Sequence, residues 1–416
     1  MSRLGKAASS ARFTGVYHPV CFDDAADVAS VLRALLWGWH FESTLEPSLP
    51  PQIAVRREGV GYRVCAPWRR EDLAADTPVA AACSLLVDLV RAYADGQPRW
   101  RCLHCGAIEV DGCLVLLVGP WRAGKSTLIA DLACRGVRVF TDDILLVDLD
   151  ARVGMSMGIP PRLRLPLPPA IQGRIVAEGD NDHRGPEDGR YLYLRPDTIA
   201  QAPFGSTAPL GGLVFLDRRT EGPAEVACMD PDAAFAELIV KTFSGSMLIE
   251  ELVKQVVALV ASSLCIRLTY SASDEAAVTL LNTLESVAAG HSLPSRAPSQ
   301  AAAGGSAGPE ATGPEAVAGR HLSAGTDPTA QYVRIADANE VTLGDTMFVA
   351  HPQYGSVHAL NATARGMWAL LAEPLSPAEA TAILQGAFPE VPSNVVAGDV
   401  TALFARFVES RLIESA

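Results

Sequence analysis

The stretch that most restricts what this chain can fold into is Gly119-Pro120-Trp121-Arg122-Ala123-Gly124-Lys125-Ser126-Thr127. It satisfies the phosphate-binding pattern G-x-x-x-x-G-K-[ST] at every fixed position. An apolar, β-rich run, Cys113-Leu-Val-Leu-Leu-Val118, precedes it. A stretch with helical spacing follows, from Lys125 to Arg135, with Leu128, Ile129 and Leu132 on one face. Strand, glycine loop and helix form the context the pattern requires. Glycines let backbone N–H groups turn inward onto phosphate oxygens. The helix N-terminus adds partial positive charge at the same point. Residues 119–127 are therefore expected to hold a nucleotide, with Lys125 on its phosphates and Ser126 ligating Mg²⁺. A chance match in a glycine-rich turn is the bland alternative, and both flanks argue against it.

A chain of 416 residues has room for two or three domains. Its formal net charge of −13 makes nucleic acid and anionic membrane poor partners, while allowing a local basic cleft. No signal peptide is visible, and the apolar run from Val31 to Trp39 is too short to span a bilayer. The nine cysteines are odd in number and scattered, mostly within apolar runs, which suits reduced thiols in the cytoplasm. Cys102, His104, Cys105 and Cys113 could be read as a zinc site. No second ligand pair follows at zinc-finger spacing, and the intervening strands should carry Cys113 away.

Residues 1–100 read as a mixed α/β segment, with helical spacing over Ala25–Trp37 and Val79–Ala94 and a hairpin over Gln52–Cys65. Residues 101–289 hold the phosphate motif and further strands at Leu213–Leu216 and Leu264–Leu268, with helices expected at Asp232–Thr242 and Asp274–Ala288. From 290 to 328 the chain is alanine, glycine, proline and serine with almost no large apolar residue, the composition of a disordered linker. Its typical reach would be on the order of 30–35 Å. Residues 329–416 form a last segment of short strands at Tyr332–Ile335, Thr346–Val349 and Val357–Leu360, followed by three helices. Asn361 can cap the first of these. Ser376-Pro-Ala-Glu379 is a capping box opening the second. The third is expected from Asn394 to Ile413.

Asp111-Gly112 separates two apolar strands by two residues, a type I′ hairpin signal. A tight turn pairs Val110 with Cys113, and counting outward places His104 opposite Gly119. Beyond the motif, Gly136 can end the helix in a left-handed conformation. The strand Val137–Thr141 then delivers Asp142 and Asp143. Adjacent carboxylates between apolar runs are costly without a partner, and Mg²⁺ would compensate them. One could hold metal while the other accepts a proton from an attacking hydroxyl.

This order resembles the catalytic domain of HPr kinase/phosphorylase: Leu103-His104, the hairpin, Gly119, Gly124-Lys125-Ser126, then Arg135 to Asp142-Asp143. The likeness is strong over residues 100–150 and diffuse to about 289. It implies an α/β P-loop kinase fold akin to phosphoenolpyruvate carboxykinase, ATP with Mg²⁺, and transfer to a serine or threonine hydroxyl. By that resemblance Lys125 and Ser126 bind phosphate and metal, Asp142 is general base, Asp143 a metal ligand, and His104 contacts the transferring phosphate. The family's second glycine-containing signature is absent, so HPr itself is not the expected substrate. Arg162, Arg164 and Arg267 are candidates for clamping transition-state charge.

Residues 329–416 resemble the PqqD family of small winged-helix peptide-recognition domains, through Val357-His358-Ala359-Leu360-Asn361 onward to Trp368, Leu375-Ser-Pro-Ala-Glu-Ala, and the Asp399-Val400 helix. The resemblance implies that a leader peptide adds as a strand to the edge Val357, His358, Ala359 and Leu360. A DNA-binding winged helix lacks support, because residues 361–416 carry only Arg365, Arg406 and Arg411 as basic groups. Together the two resemblances imply a cytoplasmic kinase of a ribosomally made peptide, captured by the C-terminal segment and kept near the kinase site at an effective concentration of order millimolar. A kinase of a sugar or other small hydroxyl compound, and a non-catalytic nucleotide-binding peptide chaperone, are the alternatives. The sequence leaves oligomeric state open, a homo-oligomer included.

Overall fold

The computed structural model describes residues 9–44, 49–69, 71–176, 182–242, 248–290, 327–343, 346–352 and 357–416. The expected disordered linker, 290–328, lies almost wholly outside the described residues. The fold is mixed α/β. The chain divides into two units: Met1–Ala234 with Leu259–Gln300, and Phe235–Ala258 with Ala301–Ala416.

The first unit opens with β1 (Ser9–Phe13), β2 (Val20–Asp23), α1 (Ala26–Leu35), β3 (Phe41–Thr44), β4 (Ile53–Glu58), β5 (Gly61–Cys65), β6 (Leu73–Ala75) and α2 (Pro78–Asp95). Among the described residues these strands form one sheet in the order β3-β1-β2-β4-β5-β6. Thr77 opens α2 by accepting a hydrogen bond from the Ala80 amide, with Pro78 in the first turn. Val28, Leu32 and Leu35 of α1 and Leu85, Leu86 and Leu89 of α2 are buried at helical spacing. Their core also takes in Leu146, Met155, Met157 and Tyr193, so this segment shares its interior with the strands that follow.

Those begin with β7 (Arg101–His104), β8 (Gly106–Val110), β9 (Cys113–Val118), α3 (Lys125–Cys134), β10 (Arg138–Thr141), β11 (Ile144–Asp148) and β12 (Val153–Met155). Next come β13 (Arg162–Arg164), α4 (Pro169–Ile175), β14 (Arg184–Glu187), β15 (Tyr191–Leu194), β16 (Thr207–Arg218), β17 (Glu225–Cys228), α5 (Pro231–Ile239), α6 (Ile249–Ser262), β18 (Leu264–Tyr270) and α7 (Ser273–Ala288), of which α5 from Phe235 onward and α6 as far as Ala258 belong to the second unit. Among the described residues a nine-stranded sheet runs β10-β8-β9-β16-β12-β11-β7, with β18 also on β16 and β17 on β18. The long strand β16 joins its halves: residues 207–209 pair antiparallel with β12, and the rest runs parallel to β9 and β18. A second core fills the space under α3 and α7, where Leu128, Ile129, Leu132 and Leu280 are fully buried. Truncating one such leucine to alanine costs about 2–5 kcal/mol.

The hairpin β8–β9 has the expected register, Val110 opposite Cys113, with Asp111 and Gly112 both at positive φ. His104 does not lie opposite Gly119. The chain bends at Cys105, so the pairing of β8 with β9 ends at Gly106 and Leu117. His104 belongs instead to β7, opposite Ile144 of β11. A side chain at Gly106 would meet Ile129 of α3 at 2.9 Å, so the glycine lets that helix close on the hairpin.

The second unit contains β19 (Tyr332–Arg334), β20 (Asn339–Leu343), β21 (Thr346–Ala350), β22 (Val357–Leu360), α8 (Ala362–Leu370), α9 (Pro377–Ala387), α10 (Ser393–Glu409) and β23 (Ile413–Ser415). Asn361 caps α8 through the Ala364 amide, and the Ser376–Glu379 capping box is complete. The third helix stops short of Ile413. Arg411 takes a left-handed φ of 55°, and Ile413 enters β23, which pairs antiparallel with β19. Met367, Trp368, Val400, Phe404 and Phe407 form the core, and the Trp368 indole N–H donates to Glu340 at 2.8 Å. Phe235 meets Phe348 of β21 edge to face, with ring centroids 5.7 Å apart.

Candidate functional site

The loop 119–124 connects the C-terminal end of β9 to α3. Its glycines answer to local sterics. A Cβ at Gly119 would sit 3.1 Å from Leu216 and 3.2 Å from Ala123. Gly124 caps α3 at φ 90°, and a Cβ there would lie 2.8 Å from the Tyr270 hydroxyl. That hydroxyl, at the end of β18, donates to the Ala123 carbonyl at 2.5 Å and anchors the loop from below. Lys125 is 8 % exposed, and its ammonium donates to the carbonyls of Gly119 at 2.9 Å and Pro120 at 3.3 Å. Pro120, Trp121 and Arg122 form the exposed crest, and Ser126 and Thr127 stand half-buried in the first turn of α3.

Asp142 and Asp143 occupy the turn between β10 and β11. The Thr141 hydroxyl accepts from the amides of Asp143 and Ile144, both at 3.2 Å, and fixes that turn. Asp142 is 5 % exposed; its carboxylate accepts from the Arg162 amide at 3.1 Å and from the Ser126 hydroxyl. Burial, and then the neighbouring Asp143 charge, push the Asp142 carboxyl up to about 6. Asp143 shifts the other way. Burial would raise it as well, but His104, Arg162 and Lys125 outweigh that and hold it down at about 2. His104 Nδ1 lies 3.1 Å from Asp143 Oδ1, and the Cys105 amide donates to the Asp143 carbonyl at 3.0 Å. Two adjacent carboxylates are thus driven apart, one poised near neutrality and one kept ionised.

The fold therefore gathers His104, Lys125, Ser126, Asp142 and Asp143 from three separate strand ends and one helix start. Sequence reasoning left three arginines undivided, and they now separate. Arg162 lies at the acid pair, with its guanidinium 4.8 Å from the Tyr191 ring and bonded to Cys83 of α2. Arg164 reaches Trp121, and Arg267 lies against Met229. Tyr270 and Cys83 were not found from sequence, since neither sits in a motif and both arrive from distant elements.

Mg²⁺ usually takes one or two carboxylates together with phosphate oxygens and water. The hydroxyl of Ser126 beside Asp142, with Asp143 ionised next door, is an oxygen donor set of that kind. Among the described residues no group of three or more His, Cys, Asp or Glu side chains is close enough to hold a metal by itself, the cysteines around His104 included.

In the second unit the expected peptide edge is a strand with one paired neighbour among the described residues. β22 lies at the edge of the sheet β20-β21-β22, with Ala359 opposite Phe348 and His358 opposite Val349. Val357, His358 and Leu360 are buried and Ala359 is half-buried, so the strand offers main chain rather than side chains.

Residues 346–413 match the family described as Coenzyme PQQ synthesis protein D (PqqD), so the C-terminal part of the chain is PqqD-like. No curated protein matches the chain. Among solved structures, the Hpr(Ser) kinase/phosphatase from Coxiella burnetii is similar at 11% identity and a TM-score of 0.22, over 45% of this chain and 97% of that one. Among the described residues no helix is long and apolar enough to cross a membrane.

Proposed function

We propose that the chain is an ATP-dependent kinase that phosphorylates a serine or threonine hydroxyl on a peptide recruited by its PqqD-like part. The observation that carries this reading is the meeting of the loop 119–124, with Lys125 and Ser126, and the adjacent carboxylates of buried Asp142 and half-buried Asp143. The PqqD match at residues 346–413 supports the peptide.

In this reading the loop amides and Lys125 hold the nucleotide phosphates. Lys125 leaves the carbonyls of Gly119 and Pro120 for phosphate oxygens. Asp142, near neutrality, takes the proton of the acceptor hydroxyl. The acceptor oxygen bonds to the γ-phosphorus as the bond from that phosphorus to the β,γ-bridging oxygen breaks, and ADP leaves with that electron pair. Ser126 and Asp143 would hold Mg²⁺, which would supply positive charge to neutralise the nucleotide phosphates. Arg162 lies where it can oppose negative charge developing at the acid pair. A leader peptide adds to Val357, His358, Ala359 and Leu360 through main-chain hydrogen bonds.

One contact favours a second assignment of the two carboxylates. Ser126 bonds to Asp142, not to Asp143, which suits Asp142 as metal ligand and Asp143, paired with His104, as base. Mg²⁺ titrations of activity in Asp142→Asn and Asp143→Asn separate the two: the ligand variant needs more Mg²⁺, whereas the base variant loses turnover at every Mg²⁺ concentration.

The function itself is tested by incubating host extract with the full chain and γ-labelled ATP, comparing wild type with Asp142→Asn, and identifying labelled species by mass. A labelled peptide that also binds the chain supports the reading. A labelled small molecule replaces it with a small-hydroxyl kinase. ATP binding with no variant-sensitive label in an extract that contains the cognate peptide leaves a nucleotide-binding chaperone.

A further inference from the structure

The crest of the phosphate loop carries an aromatic ring with two arginines against it. The guanidiniums of Arg122 and Arg164 lie 4.1 Å and 5.5 Å from the centroid of Trp121, which is 42 % exposed. Trp121 and Arg122 belong to the loop, whereas Arg164 comes from β13. A third arginine, Arg218 at the end of β16, closes in from the helix side: a Cβ on Gly124 would sit 3.8 Å from its Nη1. Among the described residues none of these three arginines has a carboxylate partner. In a chain of net charge −13, such a cluster inverts the local field.

The position of Arg164 gives the cluster a direction. Arg162 and Arg164 are two residues apart on β13 and so share a face, while Leu163 between them is buried. The Arg162 amide holds Asp142. Arg164 therefore stands next along the strand from the group assigned to the acceptor's proton. Arg122 approaches from the loop with φ at 66°, a left-handed conformation that a non-glycine residue adopts only at a cost.

We propose that Trp121, Arg122 and Arg164 form an acceptor subsite that selects a hydroxyl flanked by acidic side chains in a peptide. This rests on the kinase reading and names its substrate class. A guanidinium matches a carboxylate with paired N–H donors, and stacking on an indole fixes its plane beforehand. The nucleotide phosphates already have the loop amides and Lys125, and Arg164 lies on the strand that holds Asp142.

The test is equilibrium binding of two labelled synthetic serine peptides to the full chain, one flanked by glutamates and one by glutamines, read by fluorescence anisotropy. The glutamate peptide is expected to bind about tenfold or more tightly. That preference should vanish in Arg122→Gln/Arg164→Gln and persist only in part in Arg164→Lys, which keeps charge but not the fork. ATP affinity of Arg164→Gln, which leaves the loop untouched, should stay within about twofold of wild type. Equal binding of the two peptides by wild type, absence of binding by either, a preference that survives in the double variant, or a tenfold loss of ATP affinity in Arg164→Gln would each overturn the proposal. Both arginines are exposed, and an unchanged thermal midpoint confirms that the variants fold. Phosphorylation is read separately. A glutamate peptide that binds but is never phosphorylated, where the variants abolish its binding, removes the kinase reading and leaves the subsite standing.

Discussion

His104 Nδ1 stands 3.1 Å from Asp143 Oδ1 because β7 and β11 are neighbours, with His104 opposite Ile144. A carboxylate can only accept, so Nδ1 carries the proton. His104 thereby fixes the orientation of Asp143 and helps keep it ionised. Turnover measured in His104→Gln, Asp143→Asn and the double variant is expected to be non-additive, the second substitution adding little once the first is made. Additive losses would mean that the two side chains act independently.

Gly124 and Tyr270 form a second coupled pair beneath the loop. Gly124→Ala adds a Cβ 2.8 Å from the Tyr270 hydroxyl and places a side chain at φ 90°. Nucleotide binding, measured by calorimetry, should be lost. Tyr270→Phe removes the bond to the Ala123 carbonyl, worth about 1 kcal/mol, and should weaken ATP by roughly fivefold. Adding Tyr270→Phe to Gly124→Ala relieves the contact but not the backbone strain, so recovery should be partial.

How far the sequence disclosed this arrangement depends on how local each constraint is. The hairpin turn, the helix after Gly124, the Asn361 cap and the capping box were legible because each is decided within a few residues. The placement of His104 was not. It depended on a bend at Cys105, and extending the hairpin register through that bend selected the wrong neighbour. Histidine and acid still come together, because Asp143 immediately precedes β11, the neighbour of β7. Tyr270 and Cys83 were invisible for a different reason: they reach the site from the end of β18 and from α2, and no pattern near either residue encodes that meeting. The end of α10 was misjudged because the apolar residues Leu412 and Ile413 continue the helical stripe while serving a strand.

Ser376 shows a local constraint with a measurable consequence. Its hydroxyl accepts from the Glu379 amide at 3.2 Å, while Glu379 Oε2 accepts from the Ser376 amide at 2.8 Å and from Gln331 at 3.0 Å. Ser376 is 4 % exposed, so water cannot replace the cap. Ser376→Ala is expected to cost the second unit about 1–2 kcal/mol in urea unfolding, and Ser376→Asp less. A loss below a few tenths of a kcal/mol would show that the box contributes little here.

His358, on the strand proposed to take a peptide, links stability to pH. Burial, followed by the Arg406 charge, lowers its pKa from 6.5 to about 4. In the unfolded chain the ring titrates near its ordinary 6.5. Above that pH the ring is neutral in both states and costs nothing. Between 6.5 and about 4 the unfolded chain takes up a proton that the folded one refuses, so stability falls as pH drops, by up to about 1.4 kcal/mol per unit. Carboxylates elsewhere also respond in this range, and the informative quantity is the difference between wild type and His358→Gln. That difference is expected to be flat from pH 8 to 7 and to swing toward the variant below about 6.5. Hydrogen exchange of β21 and β22 localises the effect. A difference that stays constant across the whole range would show that His358 accepts its proton in the folded strand, and the buried, neutral ring would have to be abandoned.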